Sequence, residues 1–126
     1  MIRFLSEKAV LWMHDYLIRL YGGIDGVKSA ALLDSALHQP LMARHYSNAS
    51  LYEMAAAYGF HICKNHAFND GNKRTARMAM IVFLRYNGLK LTASEYELME
   101  KMLDIEANRM NKKELADWLQ TVTTTQ

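Results

Sequence analysis

Apolar residues recur at steps of three and four along most of the chain, which is the spacing of one buried helix face. In the first half, this pattern predicts helices over residues 6–22, 29–40 and 50–64. Ser6 is a suitable N-cap for the first helix, and Pro40 is expected to stop the second. The positions expected to face inward are Ala9, Met13, Tyr16, Leu17, Leu20, Leu32, Leu33, Ala36, Leu37, Leu51, Met54, Ala55, Tyr58 and Ile62.

The second half of the chain continues the helical pattern. A fourth helix is expected over about residues 72–88, followed by a short extended link at 89–92. Residues 94–97 and 111–114 have the spacing of capping boxes, so a fifth and a sixth helix are expected to begin there. Residues 123–126 are expected to fray. Because no alternating strand pattern of useful length occurs, the sequence predicts an all-α fold, a compact six-helix bundle.

The pattern weakens between the second and third predicted helices. Residues 39–50 contain a proline and several polar residues and show no clean period. They are therefore predicted to form a long loop. Long loops in small domains often carry function, although a plain connection is the simpler reading.

Composition sets the class of the protein. The chain has 126 residues, 51% hydrophobic and 22% charged, which fits one globular domain over residues 1–126. Its net charge of +2 comes from 15 basic and 13 acidic residues. No basic stripe with interleaved aromatic residues occurs, so nucleic acid is not an expected ligand.

Cysteine and histidine usage gives little sign of a metal site or a secreted protein. Cys63 is the only cysteine, which excludes an internal disulfide and fits a reducing compartment. We interpret it as a core residue, and His14 and His38 as surface or helix-edge residues. The first residues become charged too early for a signal peptide, and no apolar run approaches membrane-spanning length. A cytoplasmic location is therefore expected, without a membrane partner.

The densest chemistry lies in the polar run from His66 to Arg77, between two apolar segments. Its turn-forming residues include a glycine, and helical spacing begins immediately afterwards. A helix N-terminus presents unpaired N–H groups and a positive dipole end, which attract anions. Cations are unfavourable there unless an anion binds, so Lys73 and Arg74 indicate a phosphate-like ligand. Asp70 is suited to hold a magnesium ion beside phosphates, and His66 to act as a general base.

Each of these residues alone has a plain structural explanation, such as a turn, a solvated helix face or a hydrogen-bonded histidine. Their fixed spacing in front of an apolar helix favours a site. The run resembles the signature of the Fic/Doc family, His-x-Phe-x-(Asp/Glu)-Gly-Asn-(Gly/Lys)-Arg-x-x-Arg, and is most similar to its Doc (death-on-curing) branch. Two departures from most Fic proteins are Ala67 in place of proline and Lys73 in place of glycine.

The resemblance implies a mechanism in which His66 accepts a proton from a target hydroxyl and Asp70 holds Mg²⁺. In Fic enzymes, which have a small glycine at the position of Lys73, AMP is transferred. In Doc-like enzymes, which have a lysine there, the γ-phosphate of ATP is transferred. Lys73 therefore implies a protein kinase. The residues that the resemblance assigns to nucleotide phosphates are Asn69, Gly71, Asn72, Lys73, Arg74 and Arg77.

The resemblance also implies a biological setting. Doc-like toxins phosphorylate a threonine of elongation factor Tu, which blocks translation, and a Phd-like antitoxin tail restrains them by occupying a groove between helices. Fic-like folds have an active-site flap, and residues 39–50 are the candidate for it. The inhibitory motif of many Fic proteins, (Ser/Thr)-x-x-x-Glu-(Gly/Asn), is absent. The alternatives are a Fic-type nucleotidyltransferase, which transfers AMP to a hydroxyl, and a binding module without chemistry.

Overall fold

The computed structural model describes residues 1–126 and contains six helices and two short strands. The helices are α1 (Glu7–Tyr21), α2 (Ala30–Ser47), α3 (Leu51–Asn65), α4 (Asn72–Tyr86), α5 (Glu95–Glu106) and α6 (Lys112–Thr121). The strands are β1 (Leu89–Leu91) and β2 (Thr123–Thr125), which pair antiparallel. The predicted all-α class is confirmed. No helix combines the length and the hydrophobicity that a membrane crossing requires.

Helix α3 is the centre of the bundle and packs against α2, α4, α5 and α6. The run from Met54 to Gly59 is buried, and half of its residues are alanine, which lets neighbouring helices approach closely. At Gly59 the approach is so close that an added Cβ would overlap the buried side chain of Met80 on α4. The predicted N-cap at Ser6 is formed. Ser29 and Ser50, near which the next two helices were expected to begin, are also N-caps, and Ser50 is part of a capping box.

The predicted inner face of α1 is partly wrong. Met13 and Leu17 are buried, but Tyr16 and Leu20 are exposed. Val10 and Ile18 are buried in their place, so the face is rotated from the one that the sequence indicated. The rotation also buries His14, which was expected at the surface or the helix edge, because this face of the helix packs on the polar run before α4.

The loop predicted at residues 39–50 is wrong as far as Ser47, because α2 continues through Pro40 to that residue. Proline lacks the N–H that would bond the carbonyl of Ala36, and this ordinarily ends or kinks a helix. Here the buried stripe Leu33, Ala36, Leu37 and Pro40 keeps helical spacing as α2 packs on α3. The helix ends instead at Asn48, whose left-handed conformation allows its N–H to bond the carbonyl of Arg44.

The chain end is ordered where fraying was expected. Thr123, Thr124 and Thr125 pair with Leu91, Lys90 and Leu89 respectively. Threonine has a high strand propensity, and the backbone of β1 supplies the missing partners. Three-residue strands of this kind fall below what an alternating pattern can reveal.

Candidate active site

The polar run forms a loop, residues 66–71, that joins α3 to α4; we call it the motif loop. His66 is the C-cap residue of α3 and has left-handed backbone angles, φ 50° and ψ 45°. A histidine rarely adopts this conformation, and such residues cluster at functional sites. Its side chain is exposed and makes no hydrogen bond to another residue, so the imidazole is free to meet a substrate.

Phe68 anchors the motif loop in the core, where it is fully buried. Both amide atoms of Asn72 bind the backbone of Phe68: Oδ1 accepts from its N–H at 3.1 Å, and Nδ2 donates to its carbonyl at 3.0 Å. The side chain of Asn72 is therefore committed to holding the loop. Asn72 is one of the predicted phosphate ligands, and it can bind a phosphate only through its backbone N–H.

The N-terminus of α4 is open. Gly71, the N-cap residue, has φ 78°, and no side chain caps the helix. The backbone N–H groups of Asn72, Lys73 and Arg74 have no acceptor within the protein. They border a cavity of about 200 Å³ lined by Gly71, Asn72, Lys73, Arg74 and Met99, which we call the anion cradle. Unpaired N–H groups, two cations and a helix dipole make this cavity suited to a phosphate.

The three cations of the run have different partners. The Lys73 ammonium donates to Glu106 Oε2 at 2.9 Å, and the Arg74 guanidinium lies 4.6 Å from the centre of the Tyr21 ring. Arg77 does not line the anion cradle. Its side chain is only 12% exposed and lies on an adjoining groove, where it contacts the backbone carbonyl of Glu95 at 3.5 Å and the carboxylate at 4.0 Å.

Asp70, immediately before the cradle, is fixed by the loop between α1 and α2, residues 22–29. Its Oδ2 accepts the N–H of Ile24 at 2.6 Å. Gly23 lies so close that an added Cβ would be 3.2 Å from the Cβ of Asp70. The Oδ1 atom of Asp70 makes no hydrogen bond within the protein and remains available as a ligand.

The same α1–α2 loop runs along the motif loop. Lys28 and Ser29 donate to the carbonyl of Ala67 at 2.7 and 3.0 Å. The amide of Asn69 donates to the carbonyl of Asp25 at 3.0 Å, so this side chain also ties the two loops together. Asn69 was expected at nucleotide phosphates; in this structure its amide nitrogen faces the neighbouring loop.

His14 supports the site from α1, and its place beside the apolar stripe is the one feature of the sequence that could have indicated this role. It is 3% exposed, and its ring stacks on Phe68 with centroids 3.8 Å apart. Its Nε2 lies 2.8 Å from the carbonyl oxygen of Asp70, which can only accept, so Nε2 carries the proton. His14 Nδ1 faces the Asp25 carboxylate at 3.9 Å. His14 thus fixes the backbone of Asp70, while Ile24 fixes its side chain.

These contacts hold the phosphate-binding side of the candidate site in place. An anion in the cradle would meet backbone N–H groups, Lys73 and Arg74. The free carboxylate oxygen of Asp70 belongs to the residue immediately before the cradle. Positioned donors aimed at a phosphoryl group, with a nearby base, are what phosphoryl or nucleotidyl transfer requires. Such an arrangement would suit a transferase that acts on a phosphorylated substrate.

Comparison with known proteins places the chain in a family. A sequence model of the Fic/DOC family matches residues 4–84, which include the motif loop and most of α4. The "Protein kinase doc" of Escherichia phage P1 is 29% identical over 119 residues, 94% of each chain. The "Toxin Doc" of Mycolicibacterium smegmatis is 36% identical over 92 residues, 71% of each chain. With its signature intact from His66 to Arg77, this chain belongs to the Fic/DOC family.

Proposed function

We propose that this protein is a Doc-type toxin that acts as an ATP-dependent protein kinase. The observation that carries the proposal is Lys73 in the anion cradle, where a phosphate of the nucleotide would bind. The resemblance implies that the glycine of Fic enzymes leaves room for the terminal phosphates, which the longer side chain of Lys73 would fill. The names of the two relatives, a protein kinase and a toxin, support the same function.

The proposed step is an in-line displacement at the γ-phosphorus of ATP. A hydroxyl oxygen of the target attacks phosphorus, and its proton passes to the imidazole of His66. The bond from the γ-phosphorus to the β,γ-bridging oxygen breaks, and ADP leaves with that oxygen. The N–H groups of Asn72, Lys73 and Arg74, together with the two cations, stabilise the phosphate charge.

Asp70 is the candidate ligand for Mg²⁺. It offers one free carboxylate oxygen, and no cluster of three or more carboxylate, histidine or cysteine side chains occurs anywhere in the protein. One carboxylate suits magnesium, which binds through one or two carboxylates, substrate phosphates and water. When bound, the ion would neutralise phosphate charge. The other residues act on the nucleotide and the target directly.

For the target we propose a threonine of elongation factor Tu, and for the restraint a separate Phd-like antitoxin. The basis for both is resemblance to Doc toxins. The groove beside Arg77, lined by Leu17, Tyr21, Met78 and Leu98, is a suitable place for an antitoxin tail because it borders the anion cradle through Arg74.

The test uses ATP labelled at either the γ- or the α-phosphate. Each is incubated with the purified protein, magnesium and elongation factor Tu, with His66→Ala as the control. We expect label on the factor from the γ position only, and only with an intact His66. Label from the α position would establish nucleotidyl transfer instead. Absence of label with elongation factor Tu, but γ-label on another protein of a bacterial lysate, would overturn the target alone.

A further inference from the structure

Glu106 lies outside the motif, at the last position of α5, and forms an ion pair with the most distinctive residue of the anion cradle. Its Oε2 accepts from the ammonium of Lys73 at 2.9 Å, and both side chains are about one-third exposed, 37% and 32%. Met99, two helical turns earlier on α5, lines the cradle itself. Helix α5 therefore forms one wall of the cradle.

Glu106 is held ionised by its surroundings. Its hydrogen bond with Lys73 lowers the pKa of the carboxyl below the ordinary value, and the positive charges of Lys73 and Lys64 act in the same direction. The carboxylate of Glu106 thus neutralises the ammonium charge of Lys73, which nucleotide phosphates would otherwise bind. Lys64 has another acceptor, the Oδ1 of Asn108, so Lys73 is the cation that Glu106 engages directly.

We propose that Glu106 is an internal competitor for Lys73, which an incoming nucleotide phosphate must displace. The inference rests on the proposed function, because it takes the anion cradle as the nucleotide phosphate site. The carboxylate of Glu106 supplies no phosphoryl group and takes no part in the reaction. Its pairing with Lys73 therefore affects only the affinity of the site for the nucleotide. Glu106 is then a determinant of ATP affinity that the signature motif does not contain.

The experiment measures ATP binding by titration calorimetry in the presence of magnesium, without a target protein. Glu106→Gln keeps the size of the side chain and removes its charge. We expect it to bind ATP about 2- to 5-fold more tightly than the wild type at low salt, which is the range for exposed ion pairs. The difference should shrink as salt screens the charge.

The matched control is Glu100→Gln, which makes the same charge change on the exposed side of α5, where Glu100 has no ionic partner. An equal gain in affinity with Glu100→Gln would assign the effect to net charge and overturn the inference. Binding by Glu106→Gln that is equal to or weaker than that of the wild type would also overturn it, and would leave the proposed function standing. A wild-type protein that binds no ATP would overturn both.

Discussion

Replacing His14 by phenylalanine tests whether a buried residue of α1 positions the active site. Phenylalanine keeps an aromatic ring that can stack on Phe68 and removes the Nε2–H that bonds the carbonyl of Asp70 at 2.8 Å. The backbone of Asp70 then loses its support from α1. Its carboxylate keeps the bond from Ile24, so the residue is held from one side only.

The expected magnitudes separate stability from positioning. Loss of one hydrogen bond costs about 1 kcal/mol, which lowers the melting temperature of a domain of this size by about 3–6 °C. A domain with an unfolding free energy of about 5 kcal/mol or more remains over about 99% folded after such a loss. A displacement of about 1 Å in an active-site group, by contrast, can lower a rate by about 100-fold. We therefore expect kcat/KM to fall about 10- to 100-fold.

The assay compares γ-phosphate transfer and thermal unfolding for three variants. His14→Gln restores an amide N–H donor without the aromatic ring and should recover part of the activity. His38→Phe is the control, because His38 is exposed and its polar partners are the carbonyl and the carboxylate of Asp34 on its own helix. Full activity in His14→Phe, despite the lower melting temperature, would show that the hydrogen bond stabilises the fold without positioning Asp70.

Three further predictions concern the base, the core and pH. His66→Ala should abolish transfer with unchanged circular dichroism, because the side chain makes no hydrogen bond within the protein; measurable residual transfer would remove His66 as the base. Gly59→Ala should destabilise the fold by about 1–3 kcal/mol in urea unfolding, since the methyl group overlaps buried Met80; a stabilised variant would contradict the packing. Burial lowers the pKa of His61 from 6.5 to about 4, so the unfolded chain binds a proton at a higher pH than the folded protein does. The free energy of unfolding should therefore fall as the pH drops from about 6.5 to 4. His61→Gln should flatten that slope, and an unchanged slope would refute the assignment to His61.

The features that the sequence predicts correctly are local ones. The N-cap at Ser6 and the capping boxes at residues 94–97 and 111–114 depend on residues within one turn, and the structure forms each of them. The turn into α4 at Gly71 is equally local. The features that failed depend on packing. Pro40 stops an isolated helix, but the contact of α2 with α3 keeps the helix intact beyond it.

The same distinction holds within the candidate site. The signature motif indicates which residues form the site. Its spacing, however, cannot indicate which residues of other helices contact them. His14 and Glu106 lie 56 and 33 residues from their partners Asp70 and Lys73, respectively. Neither belongs to a local pattern. The resemblance assigns Asn69 and Asn72 to nucleotide phosphates, and it does not indicate that their side-chain amides bond the α1–α2 loop and Phe68 in the structure.

The intact mass of elongation factor Tu after reaction tests most directly whether Lys73 selects the transfer of the γ-phosphate. The factor is incubated with ATP, magnesium and either the wild-type protein or Lys73→Gly. With the wild type, we predict a mass increase of one phosphoryl group. With Lys73→Gly, that product should decrease and an adenylyl group can take its place. An adenylyl group added by the wild type, or undiminished phosphorylation by Lys73→Gly, would contradict the account.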